Sequence, residues 1–142
     1  MARLAFATFG QTSSSAPGTD YRSGTCNIGS AEIARRRRAG HLALGASLVL
    51  LAILVAVGAP PLARVLVALP VAAAAIGYLQ AWLHFCAGFA FRGVFNFGPV
   101  GHTEQVSDPA ALARDRATAT RIAVASLAIG LATGAVLAIL PL

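Results

Sequence analysis

The chain contains no lysine and few charged side chains of any kind, since only 11% of its 142 residues are charged and only five are acidic. A soluble globular domain usually carries about 25% charged residues, so this scarcity argues against an ordinary soluble fold. All 11 basic residues are arginines. The hydrophobic share of 57% and the mean hydropathy of +0.73 indicate a protein that lies in a lipid bilayer.

Sequence patterns that carry chemistry are also missing. The chain has no phosphate-binding loop, no nucleophile elbow, no zinc motif and no pair of carboxylates within an apolar run. We therefore expect no enzymatic activity, no metal and no cofactor. The arginines are not interleaved with exposed aromatic residues, which argues against nucleic acid as a partner. Transport by this chain alone has little support, because a coupled transporter usually needs an acid within the membrane.

Three apolar runs are long enough to cross a bilayer, which takes about 20 helical residues. They predict spans at about 41–59, 64–86 and 120–141, joined by a cytoplasmic loop at about 92–119. Residues 1–29 are rich in Ser, Thr and Gly and are predicted to be a mobile cytoplasmic tail, so that the membrane domain comprises residues 30–142. The predicted fold is an all-α integral membrane protein with three transmembrane helices and an interfacial aromatic segment after the second.

The ends of the spans carry recognisable signals. Ser30 is predicted to cap the first helix, and Pro60–Pro61 to end it. Pro70 predicts a kink in the second helix, because it cannot donate the backbone hydrogen bond to the residue four positions earlier. Asp108 followed by Pro109 is a typical start for the third spanning helix.

The arginines predict the orientation, because cytoplasmic segments of membrane proteins are enriched in positive charge. With a cytoplasmic N-terminus, eight arginines of the predicted membrane domain lie inside and only Arg64 lies outside, close to where the second span begins. The C-terminus is then outside. Heavy use of Ala, Arg, Gly and Pro indicates a GC-rich bacterial genome, which predicts the bacterial cytoplasmic (inner) membrane as the location. The eight arginines on the inner side are Arg35, Arg36, Arg37, Arg38, Arg92, Arg114, Arg116 and Arg121.

Small residues at four-residue spacing predict helix packing within the membrane, where close backbone approach drives association. Two such stripes occur. They are Ser126, Gly130 and Gly134 on the third spanning helix, and Ala73, Gly77 and Ala81 on the second. The contact could lie within one chain or between copies. Because three short helices bury little surface, we expect a homo-oligomer or a larger membrane protein as partner.

The segment from 73 to 98 collects five of the seven phenylalanines around Arg92. This pattern is typical of a helix lying at the headgroup level, with its arginine directed toward phosphate. Together with the run Arg35–Arg38, Arg92 is predicted to contact lipid headgroups. Gln80 and His84 are one helical turn apart, and are predicted to face another helix rather than lipid.

Histidine and cysteine residues fall near the predicted inner surface. His41 and His84 could supply the two axial ligands of a haem, and Cys26 and Cys86 could form a reactive thiol pair. The alternative is that short polar residues simply collect at the interface. A metal shared by His84 and Cys86 is disfavoured, since residues two apart on a helix point in nearly opposite directions.

Residues 27–86 resemble the YgaP-like transmembrane domain family in the order of their features. These are Asn27, the arginines ending at Arg38, two apolar spans of which the second carries Leu79-Gln80-Ala81, and Cys86 close to the inner surface. The resemblance implies a membrane anchor or accessory module, with possible sulfur or thiol handling at Cys86. It does not extend to the rhodanese domain to which such modules can be joined.

The sequence therefore leaves three functional hypotheses. The leading one is a non-enzymatic membrane module that associates with itself or with a larger partner. The second is a thiol, redox or haem protein that uses Cys86 and the inner-surface histidines. The third is a small transporter or channel subunit.

Overall fold

The computed structural model describes residues 21–142. The earlier part of the predicted tail, residues 1–20, lies outside the described residues. The described chain is mostly helical. Its elements, in chain order, are helix α1 (Ser30–Ala56), a 3-10 helix (Pro61–Val67), α2 (Ala68–Trp82), α3 (Ala87–Arg92), strands β1 (Val94–Phe95) and β2 (Glu104–Gln105), and α4 (Pro109–Ile139).

Three helical segments are long and apolar enough to cross a membrane: Ser30–Ala56, Pro61–Trp82 and Pro109–Ile139. Each overlaps one of the three predicted spans, but Ser30–Ala56 and Pro109–Ile139 begin well before the predicted positions 41 and 120. The second consists of the 3-10 helix and α2 in succession, and Pro70 lies in the first turn of α2. The change of helix type, between Val67 and Ala68, falls close to Pro70, which has no N–H to bond the carbonyl of Leu66.

The three long helices form a row with α2 in the middle. The backbone of Gly77 lies directly against Gly40 of α1, whereas Ala68 and Ala72 lie against Gly130 of α4. With 3.6 residues in each turn, these two sets occupy opposite sides of α2. The outer helices α1 and α4 hardly contact each other. Close approach of small residues therefore holds the row together on both sides of α2.

The predicted starts of α1 and α4 had different outcomes. Asp108 caps α4 as predicted, accepting hydrogen bonds from the backbone N–H groups of Ala110 and Ala111, with Pro109 at the first helical position. The cap predicted at Ser30 is wrong. Gly29 holds the extended capping position, and Ser30 is already the first helical residue.

The second of these apolar segments ends at Trp82, short of the predicted end at residue 86. His84 has a positive φ of 53°, a left-handed conformation that stops the helix. The side chain of Gln80 accepts a hydrogen bond from the backbone N–H of Ala87 at 3.1 Å and so links the end of α2 to the start of α3. The predicted aromatic segment is thus the short helix α3, which ends at left-handed Gly93 and leads into an antiparallel pair of two-residue strands.

Candidate functional site at the basic end

Residues 21–29, the described part of the predicted tail, pack against α4 and against the break between α2 and α3. Asp115 of α4 is fully buried and accepts hydrogen bonds from the Tyr21 hydroxyl, at 2.7 Å, and from the backbone N–H of Gly24. The Thr118 hydroxyl donates to the Gly24 carbonyl at 2.7 Å. A buried carboxylate needs such donors, so Asp115 fixes this segment across the start of α4.

The pKa of Tyr21 is raised above its ordinary value of 10.0. The first cause is burial of the phenol, and the second is its hydrogen bond to Asp115, whose negative charge also opposes ionisation. Tyr21 therefore acts as a hydrogen-bond donor at neutral pH. Its ring also stacks on Phe95 with 4.8 Å between ring centroids, so it joins the N-terminal segment to the strand pair.

Asn27 connects the N-terminal segment to the break between α2 and α3. Its fully buried side chain forms a reciprocal pair with the backbone of Cys86: Nδ2 donates to the carbonyl at 3.0 Å, and the Cys86 N–H donates to Oδ1 at 2.6 Å. The Asn27 carbonyl also accepts from the backbone N–H of Asn96 at 3.0 Å. Three segments that are distant in sequence thus meet at one buried amide.

Glu32 and Asn96 extend this cluster under the start of α1. The Glu32 side chain is fully buried, and its Oε1 accepts a hydrogen bond from Asn96 Nδ2 at 3.3 Å. Its Oε2 has no hydrogen bond but lies 3.6 Å from Arg36 Nη2 and 3.7 Å from Arg35 Nη1. Two arginines therefore balance the charge of a carboxylate that is removed from water.

The side chain of Arg36, one of the predicted headgroup contacts, turns into the protein instead. Its Nη2 lies 2.9 Å from Cys86 Sγ, and its guanidinium lies over the ring of Phe89 at 5.6 Å. Arg92 lies over the same ring at 5.2 Å. Cys86 is only 1% exposed and packs with Ile28 and Phe89. In this conformation the thiol is enclosed by protein and out of reach of a substrate.

The predicted ligand pairs are not brought together. His41 Nδ1 lies 2.6 Å from the Tyr78 hydroxyl, within α2, whereas His84 lies in the turn beyond the end of α2. His84 is exposed rather than facing a helix, and it lines a shallow groove beside Cys26. No disulfide joins Cys26 to the enclosed Cys86. Within residues 21–142, no group of three or more His, Cys, Asp or Glu side chains is placed to hold a metal ion.

The predicted packing residues lie at helix contacts, with one exception. Ser126, Gly130 and Gly134 are buried on α4, and the two glycines face Val65, Ala68 and Ala72 of the same chain. On α2, Gly77 and Ala81 are buried but Ala73 is exposed, and Ala74 takes its place. The buried face follows spacings of three and four residues rather than four alone, because 3.6 residues make a turn.

The remaining arginines define two unlike ends of the row. Arg35, Arg37, Arg38 and Arg92 are exposed at the end that contains the polar cluster, which we call the basic end. Arg64 is 5% exposed at the other end, where it donates hydrogen bonds to the carbonyls of Leu140, at 2.7 Å, and Leu142, at 2.9 Å. Arg64 thus satisfies carbonyls after α4 that no helical N–H can reach.

Sequence reasoning missed the buried polar residues Glu32, Asn96 and Asp115 as parts of one end of the structure. A signal was present for Glu32, which shares one face of α1 with the small residues Gly40 and Ser47. No local pattern pairs Asn27 with Asn96 or Asp115 with Tyr21, because the partners in each pair lie far apart along the chain.

Comparison of the chain with models of protein families, with curated proteins and with solved structures finds no match. The resemblance of residues 27–86 to the YgaP-like transmembrane domain family therefore stays a prediction. The geometry of the chain itself is the basis on which its function is inferred.

Proposed function

We propose that the protein is a small, non-enzymatic, multi-pass module of a bacterial inner membrane that associates with another copy of itself or with a larger membrane protein. Its N-terminal side is cytoplasmic and its C-terminal side is outside. The positions of the arginines support this orientation, because the basic end carries all but one of the arginines in residues 21–142.

The observation that carries the proposal is the uncovered length of α1. Only Glu32, Gly40 and Ser47 are buried among its 27 residues, and none after Ser47. Leu48, at 61% exposure, and Val49, at 60%, lie on the uncovered surface. A helix at the edge of the row with an uncovered flank leaves room for a further helix to pack against it, from a second copy or from another protein.

The polar cluster supports a binding role rather than a catalytic one. The buried side chains of Asn27, Gln80 and Asp115 all bond backbone groups of other segments, and so are used to hold the basic end in one conformation. A preordered surface loses less entropy when a partner binds.

Cysteine crosslinking in native-like bilayers tests the association. In a chain whose own cysteines are replaced by alanine, Val49→Cys on α1 should form a disulfide-linked dimer, whereas Leu127→Cys on exposed α4 should not. The two positions are matched, since both are apolar, exposed and within apolar helices. Equal crosslinking at both positions would indicate random collision. If neither position forms a crosslink, self-association is excluded and a different protein remains as the partner. That partner would be identified by the mass of the complex in bilayers.

Thiol chemistry at Cys86 is the second candidate, and the contact with Arg36 favours it. Cationic neighbours are typical of reactive thiolates. Burial argues the other way, and labelling with a thiol reagent distinguishes the two. A packed Cys86 should react only as fast as the folded chain opens, whereas a functional thiol should react readily in the native protein.

A further inference from the structure

A groove at the basic end is not used by the polar cluster. It has a volume of about 580 Å³ and runs along one face of α1, where Arg35, Arg38 and Leu42 line it together with three alanines. Val100, from the turn after β1, forms the opposite wall. The lining is therefore apolar apart from two arginines.

The two arginines are placed to receive an anion. Arg35 and Arg38 are three residues apart, so they project from the same face, and both are exposed. Glu32 lies 3.7 Å from Arg35 Nη1, which is too long for a strong hydrogen bond, and Glu32 is shared with Arg36. The groove thus keeps an excess of positive charge at its mouth.

Beyond the two arginines, the groove continues along α1 with Ala39 and Leu42, toward the apolar run. Leu42 lies seven residues beyond Arg35, about 10 Å along the helix axis in the direction of the apolar run. It is 76% exposed, and Val100 is 52% exposed. An acyl chain lying against Ala39 and Leu42 would place a phosphate close to the two guanidinium groups.

We propose that this groove binds one anionic phospholipid, with its phosphate held by Arg35 and Arg38 and an acyl chain held along Ala39 and Leu42. The inference rests on the proposed membrane location. It goes beyond the general attraction of arginines to a negative membrane surface, because it assigns the binding to two arginines of the run and not to the others.

Native mass spectrometry of the full chain in detergent, titrated with phosphatidylglycerol or phosphatidylcholine, tests the inference. The variant Arg35→Gln/Arg38→Gln should lower phosphatidylglycerol affinity by about tenfold or more, since charge-assisted hydrogen bonds are of that order. The control Arg37→Gln/Arg116→Gln removes the same charge from exposed positions outside the groove, and should leave the affinity within about twofold of the native chain.

A second variant tests the groove without changing charge. Ala39→Phe places a ring in the groove from an exposed position, and should also abolish the bound lipid while the unfolding transition stays unchanged. Equal losses in the two arginine doubles, or equal affinity for phosphatidylcholine, would overturn the proposal. So would competition by millimolar inorganic phosphate, which would indicate a site for a free anion. A lipid-free dimer would overturn it as well, by showing that a second copy covers the groove.

An error in the proposed membrane location can be distinguished from an error in the proposed lipid site. In that case alkaline carbonate would release the native chain from membranes, whatever the state of the two arginines.

Discussion

The contact of α4 with α2 makes a quantitative prediction for Gly130. A Cβ atom added at this position would lie 2.5 Å from the carbonyl oxygen of Ala68 and 2.7 Å from Cβ of Ala72. Both distances are well below van der Waals contact, and a backbone oxygen in a helix cannot rotate away. Gly130→Ala must therefore push the two helices apart along their length.

The magnitude follows from a comparison with Gly45, the matched control on α1. A Cβ at Gly45 meets nothing within 4 Å. Both substitutions gain the same intrinsic helix preference of alanine over glycine, about 1 kcal/mol, so their difference isolates the overpacking cost of about 1–3 kcal/mol. Gly134→Ala should fall between them, since its nearest contact, with Ala68 Cβ, is 2.9 Å.

The assay is reversible unfolding in mixed micelles, followed by far-ultraviolet circular dichroism. The free energy of unfolding should rank Gly45→Ala highest, then Gly134→Ala, then Gly130→Ala. If Gly130→Ala unfolds like Gly45→Ala while the oligomeric mass falls, the glycine contact is between copies rather than within the chain, and its assignment to α2 of the same chain is wrong.

Three further predictions concern the two ends of the row. Arg64→Met should lower the free energy of unfolding by about 1–2 kcal/mol, because the carbonyl of Leu140 loses a charged donor; equal or greater stability would show that burying the charge costs more than its bonds return. Asn27→Leu should cost about 2–4 kcal/mol in the same assay, because the backbone N–H and carbonyl of Cys86 are left buried and unpaired, and a loss below about 1 kcal/mol would contradict this. The free energy of unfolding should include the full contribution of neutral Tyr21 below about pH 10 and should fall as the pH rises further, since the pKa of Tyr21 is higher in the folded than in the unfolded chain. Tyr21→Phe should remove this pH dependence. An unchanged pH profile in the variant would refute the assignment.

Signals within a short stretch of chain were sufficient for much of the fold. The three apolar runs correspond to the three long helices, and Asp108 with Pro109 marks the start of α4. Hydrophobic periodicity and helix capping depend on residues within one or two helical turns, so they can be identified from a single sequence. The GxxxG pair Gly130 and Gly134 was identified on the same basis, although the pattern could not say which chain it contacts.

The basic end could not be predicted in this way, since its structure depends on contacts between distant segments. Asn27, in a part of the chain predicted to be a tail, pairs with the backbone at residue 86 and with Asn96. Composition suggested disorder because this segment has little apolar area of its own. Its order comes instead from hydrogen bonds to buried polar groups on other elements, and composition does not count those groups.

The run of four arginines shows how far helical geometry alone can separate neighbouring residues. Because a turn takes 3.6 residues, side chains spaced four residues apart rotate gradually around the helix axis in one direction, and side chains spaced three apart rotate in the other. Glu32, Arg36 and Gly40 are related by steps of four, and Gly40 lies on the face that packs against α2. Arg35 and Arg38 follow Glu32 by steps of three, so they turn progressively away from that face.

A small residue such as Gly40 predicts the packed face, so the inward turn of Arg36 follows once α1 is known to begin before the run. The same spacing turns Arg36 into the fold, whereas Arg38 and Arg35, which lies 3.7 Å from Glu32, stay exposed to solvent. The run therefore contains one arginine that packs within the protein and others that stay exposed. We expect substitution of Arg36 to lower mainly the stability, and substitution of Arg35 and Arg38 to lower mainly the affinity for lipid.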